Sequence, residues 1–95
     1  MNEQFQTLHP DDDKLGVRID KKKYDVMRKT ILANIRRHGR LTFSELASLV
    51  GEQLNGKFDG SVMWYYTTVK LDMEARGEIR RVPGSKPQLV ESVKG

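Results

Sequence analysis

Residues 61–89, "SVMWYYTTVKLDMEARGEIRRVPGSKPQL", contain the patterns that decide the fold. Apolar side chains recur at steps of three and four residues as far as Arg76, which is typical of one face of an α-helix, and Gly77 follows as a stop. The next segments, "EIRRV" and "QLVES", are short strand candidates joined by "PGSKP". Because Pro83-Gly84 suits the central positions of a type II turn, the stretch predicts a long helix followed by a β-hairpin.

A first helix is predicted from about Lys22 to His38, with Asp20 as its N-cap and Gly39 as its end. The apolar periodicity predicts a buried face made of Tyr24, Met27, Ile31, Ile35 and His38.

A second helix begins at "TFSE", where Thr42 and Glu45 have the spacing of a capping box, and it stops at Asn55-Gly56. Its predicted inward face comprises Phe43, Leu46, Ala47, Val50 and Leu54. The turn "KFDGS" follows, and either Asp59 or Ser61 can cap the third helix.

Three helices followed by a hairpin predict an α+β protein with the layout of a winged helix-turn-helix, in which the hairpin is the wing. We expect residues 21–95 to form this domain and residues 1–20 to form a polar, partly flexible N-terminal arm with one extended piece at 17–19. The predicted core consists of Tyr24, Ile31, Ile35, Leu46, Val50, Val69, Met73 and Ile79.

Three stretches, "GVRIDKKKYD", "LTFSEL" and "WYYTTVKLDMEARGEIRRVPGSKPQ", resemble a family of small, uncharacterised bacterial winged-helix proteins over roughly residues 8–90. The resemblance implies the fold and no particular activity. The segment "LDMEARGEIRR" also resembles the helix-to-wing junction of transcription regulators of the multiple-antibiotic-resistance and arsenic-responsive types. The chain departs from those regulators in its longer turn before the third helix and in its acidic middle.

Composition excludes several classes of protein. With 95 residues and no cysteine, the chain can bury one modest core and cannot form a disulfide framework or a thiolate metal site. The absence of a long apolar run and of a signal-peptide pattern predicts no membrane segment and a cytoplasmic location. The net charge of +4 is uneven, because residues 21–40 carry eight cations and one acid, whereas residues 41–76 carry three cations and five acids.

Clustered cations indicate a surface for a polyanion, so we predict a DNA-binding protein of the transcription-regulator type with mainly phosphate contacts to double-stranded DNA. On a helical wheel, four cations of the first helical segment fall close to one line, although an ordinary solvated helix face would show the same pattern. The predicted contacts are Lys22, Lys29, Arg36 and Arg40 in that segment, Thr67, Thr68 and Lys70 on the third helix, and Arg80, Arg81 and Lys86 in the wing.

The alternative is a protein-interaction or homodimerisation module. Trp64 and Leu71 are seven residues apart and share a line on the face of the third helix opposite its core side. A DNA reader would be expected to carry cations there. We predict that this ridge is covered, either by the arm or by a second copy of the protein, because large exposed apolar groups on a rigid helix usually serve a contact.

No enzyme activity is predicted. His9 and His38 are not paired by any pattern, and no nucleophile constellation or phosphate-binding glycine loop is present. The run "HPDDD" is at most a weak candidate for a divalent ion, so we expect no catalytic, cofactor-binding or metal-binding residue.

Overall fold

The computed structural model describes residues 3–11 and 13–93 and has an α+β architecture, as predicted. Three helices pack around one core, with a two-stranded sheet at one end and a three-stranded sheet beside them. Within the described ranges, no helix combines the length and the apolar character needed to cross a membrane. In chain order the elements are β1 (Gln4–Gln6), β2 (Arg18–Asp20), α1 (Lys21–His38), β3 (Leu41–Thr42), α2 (Phe43–Leu54), α3 (Val62–Ala75), β4 (Ile79–Arg81) and β5 (Leu89–Ser92).

Each of the three helices begins directly after a residue whose side chain caps its N-terminus. Asp20 accepts a hydrogen bond from the N–H three residues on, and Ser61 does the same at the start of α3. Thr42 and Glu45 form the predicted capping box, with both reciprocal bonds at 2.9–3.0 Å. The predicted N-caps of α1 and α2 are therefore confirmed, and Ser61 rather than Asp59 caps α3.

The three-stranded sheet has the order β3-β5-β4 and is antiparallel throughout. The predicted hairpin is confirmed as β4 and β5, and Arg80 lies opposite Glu91 in its register. Gly84 has φ of 74° in the turn after Pro83, as the third position of a type II turn requires. The short strand β3, between α1 and α2, was not predicted.

All eight predicted core residues are buried, and the prediction of a single core is confirmed. Two other predictions of burial were wrong. His38 is exposed because α1 ends there and the chain turns away at Gly39. Phe43, the first residue of α2, is 40% exposed even though its ring packs on Tyr66 with a centroid distance of 5.0 Å, because it has no preceding helical turn beside it.

The described part of the predicted arm is docked against the helices. β1 and β2 pair as an antiparallel hairpin, and Phe5 of β1 stacks on Tyr24 of α1 with ring centroids 4.0 Å apart. The extended piece predicted at 17–19 corresponds to β2, whereas its partner β1 was not predicted. Asp12 of the run "HPDDD" lies outside the described residues, as do positions 1, 2, 94 and 95 of the predicted arm and domain.

Candidate nucleic-acid interface

A line of cations follows the exposed face of α1. Lys22, Lys29 and Arg36 are all exposed and are spaced seven residues apart, so successive side chains lie about 10 Å apart along the helix axis. Among residues 3–11 and 13–93, none of the three has an ion-pair partner. The buried face of α1 points the other way, toward α2 and α3, so this line is free to meet a large ligand.

Two arginines extend this line onto the outer face of the sheet. Arg40, just before β3, donates from Nε to Glu91 at 2.9 Å, and Arg80 of β4 donates from Nε to the other carboxylate oxygen at 2.6 Å. Arg36, Arg40 and Glu91 line one shallow cleft of about 390 Å³. We define the basic band as Lys22, Lys29, Arg36, Arg40 and Arg80.

Glu91 is held as a carboxylate within this band. Hydrogen bonds from Arg80 first, and from Arg40 second, lower the pKa of Glu91 below its ordinary value. Both arginine side chains remain more than half exposed, at 56% and 58%. The Glu91 side chain is only 17% exposed, so the open surface of these two ion pairs belongs mainly to the arginines.

Lys70 does not belong to an exposed surface, and its predicted place there was wrong. It is 6% exposed, forms an ion pair with Glu74 one turn further along α3, and has Nζ 5.0 Å from the centroid of the Phe43 ring. The position lies at the flank of α3 that faces α2, where the Phe43 ring and the Glu74 carboxylate enclose the ammonium group. A buried, paired ammonium cannot reach a base or a phosphate without leaving an uncompensated carboxylate behind.

The other residues of the predicted α3 face differ in how far they are exposed to solvent. Thr67 is exposed, whereas Thr68 and Leu71 are partly buried and line a small cavity of about 90 Å³ together with Leu8 and Leu15 of the arm. Leu71 is therefore partly buried, and the arm lies on the other side of the cavity beside it.

Trp64, at the other end of the ridge, is 48% exposed. Its ring meets Tyr65 edge to face at a centroid distance of 5.0 Å, and the neighbouring Met63 is 44% exposed. The prediction that the arm covers the ridge is therefore wrong for Trp64, whereas cover of Trp64 by a second copy of the protein stays a prediction.

The remaining cations of the β4–β5 hairpin lie apart from the band. Arg81 points toward α3 and donates from Nε to Glu74 at 3.0 Å, whereas Arg80 points to the opposite face of the sheet. Lys86 is exposed in the turn between β4 and β5. The predicted contacts therefore divide into two surfaces, one made by α1 and the outer sheet face and one made by α3 and Arg81.

Asp72 of α3 is the important residue that sequence reasoning missed. It is fully buried, and its carboxylate accepts hydrogen bonds from the backbone N–H of Leu8 at 2.8 Å, from Arg76 Nε at 2.9 and 3.0 Å, and from the Tyr24 hydroxyl. Burial first, and the bond to Asp72 second, raise the pKa of Tyr24 far above its ordinary value. The four-residue spacing of Asp72 and Arg76 was the one available sequence signal.

Leu8, Tyr24, Asp72 and Arg76 together join the arm to α3, and we call this group the Asp72 joint. The Arg76 guanidinium lies 4.9 Å from the centroid of the Phe5 ring and donates to the carbonyl of Gln6 at 3.2 Å. The joint consequently fixes the arm on the flank of α3 that faces α1.

The model of a protein family of unknown function, DUF6958, matches residues 4–90. The chain belongs to this family. Because the match begins at β1 and reaches β5, the arm hairpin lies within the region that defines DUF6958, together with the helices and the β4–β5 hairpin. No curated protein and no solved structure matched the chain.

Proposed function

We propose that the protein is a small winged-helix module of the transcription-regulator type that binds double-stranded DNA mainly through its phosphates. Support for the winged-helix part comes from the order of the elements, with a short strand between α1 and α2, a hairpin after α3, and one antiparallel sheet joining them. Support for the DNA-binding part comes from the distribution of charge.

The basic band is the observation that carries this proposal. Three of its cations have no ion-pair partner among the described residues, and the other two share the carboxylate of Glu91, which is 17% exposed. Such a line of cations does not stabilise the free protein, because the cations repel each other. A polyanion would gain from the arrangement, since each cation placed near a phosphate releases a condensed counterion.

The composition of α3 argues for weak sequence preference. Base edges in the major groove are read mainly by arginine, lysine, asparagine and glutamine side chains. The exposed part of α3 instead offers Thr67 and Trp64, and its lysine is buried. We therefore expect micromolar or weaker binding that depends steeply on salt and little on sequence.

The test is an anisotropy titration with a random-sequence duplex at about 50 and 200 mM salt, on protein whose oligomeric state has been measured. The informative variant is Lys29→Ala/Arg36→Ala, which removes two free cations of the band. The matched control is Arg18→Ala/Lys57→Ala, which removes two exposed cations at β2 and in the turn before α3. All three proteins share the same helices and core.

The band variant should bind more weakly and should flatten the slope of log K against log salt by about two units, since each phosphate contact contributes about 0.9. The control should keep most of the wild-type affinity and slope. Equal losses in the two variants would show an effect of net charge alone. No binding of the wild type at low salt would remove the proposed function.

A second candidate function, a protein-interaction or homodimer surface, rests on the exposure of Trp64 and Met63 next to each other on α3. Tryptophan is a frequent anchor in interfaces because it combines large apolar area with few rotatable bonds. If a second copy covers this surface, light scattering should give the mass of a dimer for the wild type and of a monomer for Trp64→Glu. The control Val26→Glu changes an equally exposed apolar residue on α1 and should leave the mass unchanged.

A further inference from the structure

A wide cleft opens between α1 and the end of the sheet. Its volume is about 600 Å³, which lies within the range of small-molecule binding sites. Three side chains at steps of one helical turn on α1 contribute to the lining, together with residues from the turn after α3 and from the end of β5. The lining includes Arg28, Leu32, Arg36, Glu78, Ser92 and Val93. A small organic molecule therefore has room in this cleft.

Leu32 and Val93 give the cleft an apolar part. Leu32 belongs to the core and is 8% exposed, so it presents a fixed apolar surface. Val93 follows β5 directly, and its N–H donates to the Glu78 carbonyl at 3.0 Å, which fixes its backbone. Its side chain nevertheless remains 44% exposed. Because removal of apolar surface from water is favourable, an apolar ligand segment would be stabilised by contact with these two side chains.

The charges of the cleft leave one cation without a partner. Arg28 donates from Nε to both carboxylate oxygens of Glu78 at 3.0 Å, so these two groups neutralise each other. The hydrogen bond from Arg28 is the main cause that lowers the pKa of Glu78, and the carboxylate is therefore ionised at neutral pH. Arg36 is exposed and has no ion-pair partner among the described residues. Two guanidinium groups against one carboxylate leave a surplus of one positive charge.

Ser92 adds a hydroxyl group on the same side of the sheet as α1. It pairs with Ile79 in the sheet, and directly opposite residues of an antiparallel pair point to the same face. Because Ile79 is 1% exposed within the core, the Ser92 side chain also points toward the helices. Ser92 and Arg36 both line the neighbouring cleft of about 390 Å³ as well, so they lie where the two clefts meet. Two hydrogen-bond donors are thus available at one place.

We propose that this cleft binds a small organic monocarboxylate, with Arg36 and Ser92 donating to the carboxylate and with Leu32 and Val93 in contact with a short apolar body. The planar fork of a guanidinium matches a carboxylate, and the surplus of one positive charge suits a monoanion. A more highly charged anion would be repelled by the Glu78 carboxylate. The inference goes beyond DNA binding and does not depend on it. Because Arg36 also belongs to the basic band, a bound carboxylate would occupy a guanidinium that the proposed function assigns to a phosphate.

The test is a titration of the whole protein with hexanoate, followed by amide chemical shifts. Acetate carries the same carboxylate without the apolar body, and 1-hexanol carries a similar apolar body without the charge. Hexanoate should give saturable shifts at Leu32, Arg36 and Ser92, and acetate and 1-hexanol should each bind about tenfold or more weakly, because each lacks one half of the contacts. Equal binding of hexanoate and acetate, equal shifts at Lys22 and Lys29, or shifts that do not saturate would overturn the inference.

Two neighbouring arginines supply the matched variants. Arg36→Gln removes the proposed carboxylate donor, whereas Arg37→Gln removes the next exposed cation of α1, which does not line the cleft. Hexanoate should bind about tenfold or more weakly to the first variant and with wild-type affinity to the second. Val93→Ser should weaken the binding of hexanoate and leave that of acetate unchanged. Equal losses in the two arginine variants would overturn the inference.

These titrations separate the cleft from the proposed function, because none of them contains DNA. A protein that binds hexanoate in this way but fails to bind a duplex would remove the proposed function and leave the inference standing. A protein that binds a duplex but not hexanoate would do the reverse.

Discussion

The Asp72 joint and the basic band differ in how their charges are satisfied. Asp72 is fully buried and its carboxylate receives hydrogen bonds from three other residues, so its charge is neutralised within the fold. Lys22, Lys29 and Arg36 are exposed and have no ion-pair partner among the described residues. The comparison separates charges that hold the molecule together from charges that remain available to a partner.

The energetic consequences of the two arrangements are opposite. Removing one member of a buried ionic network leaves its partners unpaired and costs far more than the network itself is worth. Removing an exposed, unpaired cation costs the fold almost nothing. Mutations in the joint should therefore act on stability, and mutations in the band should act on binding.

The largest expected effect is that of Asp72→Ala. The change leaves the Tyr24 hydroxyl, the Leu8 N–H and the Arg76 guanidinium without their shared acceptor, so the free energy of unfolding should fall by about 3–5 kcal/mol. Denaturant unfolding measures this. The control Asp25→Ala removes an exposed carboxylate of α1 and should leave the midpoint nearly unchanged. Similar midpoints for both variants would show that the joint contributes little.

Ile35→Ala should have the next largest effect. Ile35 is 1% exposed on the buried face of α1, and its truncation should cost about 2–4 kcal/mol through lost burial and the cavity left behind. Lys29→Ala, on the opposite face of the same helix, should leave the free energy of unfolding unchanged within error. A stabilising role for Lys29 comparable to that of Ile35 would break the distinction between core and band.

Gly16→Ala should open the arm without unfolding the domain. Because the added Cβ would lie 1.9 Å from the Thr7 carbonyl oxygen, the loop between β1 and β2 must shift, and hydrogen exchange at the Thr7 and Val17 amides should accelerate by about tenfold or more. The control Gly51→Ala lies in α2, where the nearest atom is 3.8 Å away, and it should raise stability by about 0.5–1 kcal/mol. Unchanged exchange in Gly16→Ala would show that the close contact between Gly16 and Thr7 does not hold the loop between β1 and β2 in place.

The smallest expected effect is a change in the stability of the fold at low pH when Glu78 is replaced. A hydrogen bond from Arg28, whose side chain reaches from α1, lowers the pKa of Glu78 below its ordinary value of 4.5. The unfolded chain binds this proton more readily, so the pair stabilises the fold fully above about pH 4.5 and loses that contribution as pH falls through the lowered pKa. Glu78→Gln should therefore reduce the loss of stability below pH 4.5, and Glu52→Gln should not. Parallel acid unfolding curves for the two variants would contradict this assignment.

Much of the fold could be predicted from interactions between residues that are close together in the sequence. Asp20, Thr42 and Glu45 were identified as capping residues from their types and spacing, because a cap depends on backbone groups only three residues away. Seven of the eight core residues lie on the helices and followed from helical periodicity in the same way, whereas Ile79 lies in β4. Strand β1 was missed because three residues with one apolar side chain carry no usable pattern, and its pairing with β2 supplies the stability.

The candidate site was harder to predict because it depends on contacts between distant segments. A helical wheel gives the direction of Lys70 but not the Phe43 ring and Glu74 carboxylate that enclose it. The role of Asp72 depends on Leu8, which is 64 residues away in the chain. The α1 line was predictable because it lies within one helix, whereas its continuation to Arg80 required the sheet register that places Arg80 opposite Glu91.

The central claim is that α1 and the outer sheet face, rather than α3, meet the DNA backbone. Amide chemical shifts recorded while a random-sequence duplex is added at low salt test this claim most directly, because they report each segment separately. We predict the largest changes around Lys22, Lys29 and Arg36 and at Arg80, with small changes at Thr67 and Trp64. Large changes along the exposed face of α3, with none along α1, would contradict it.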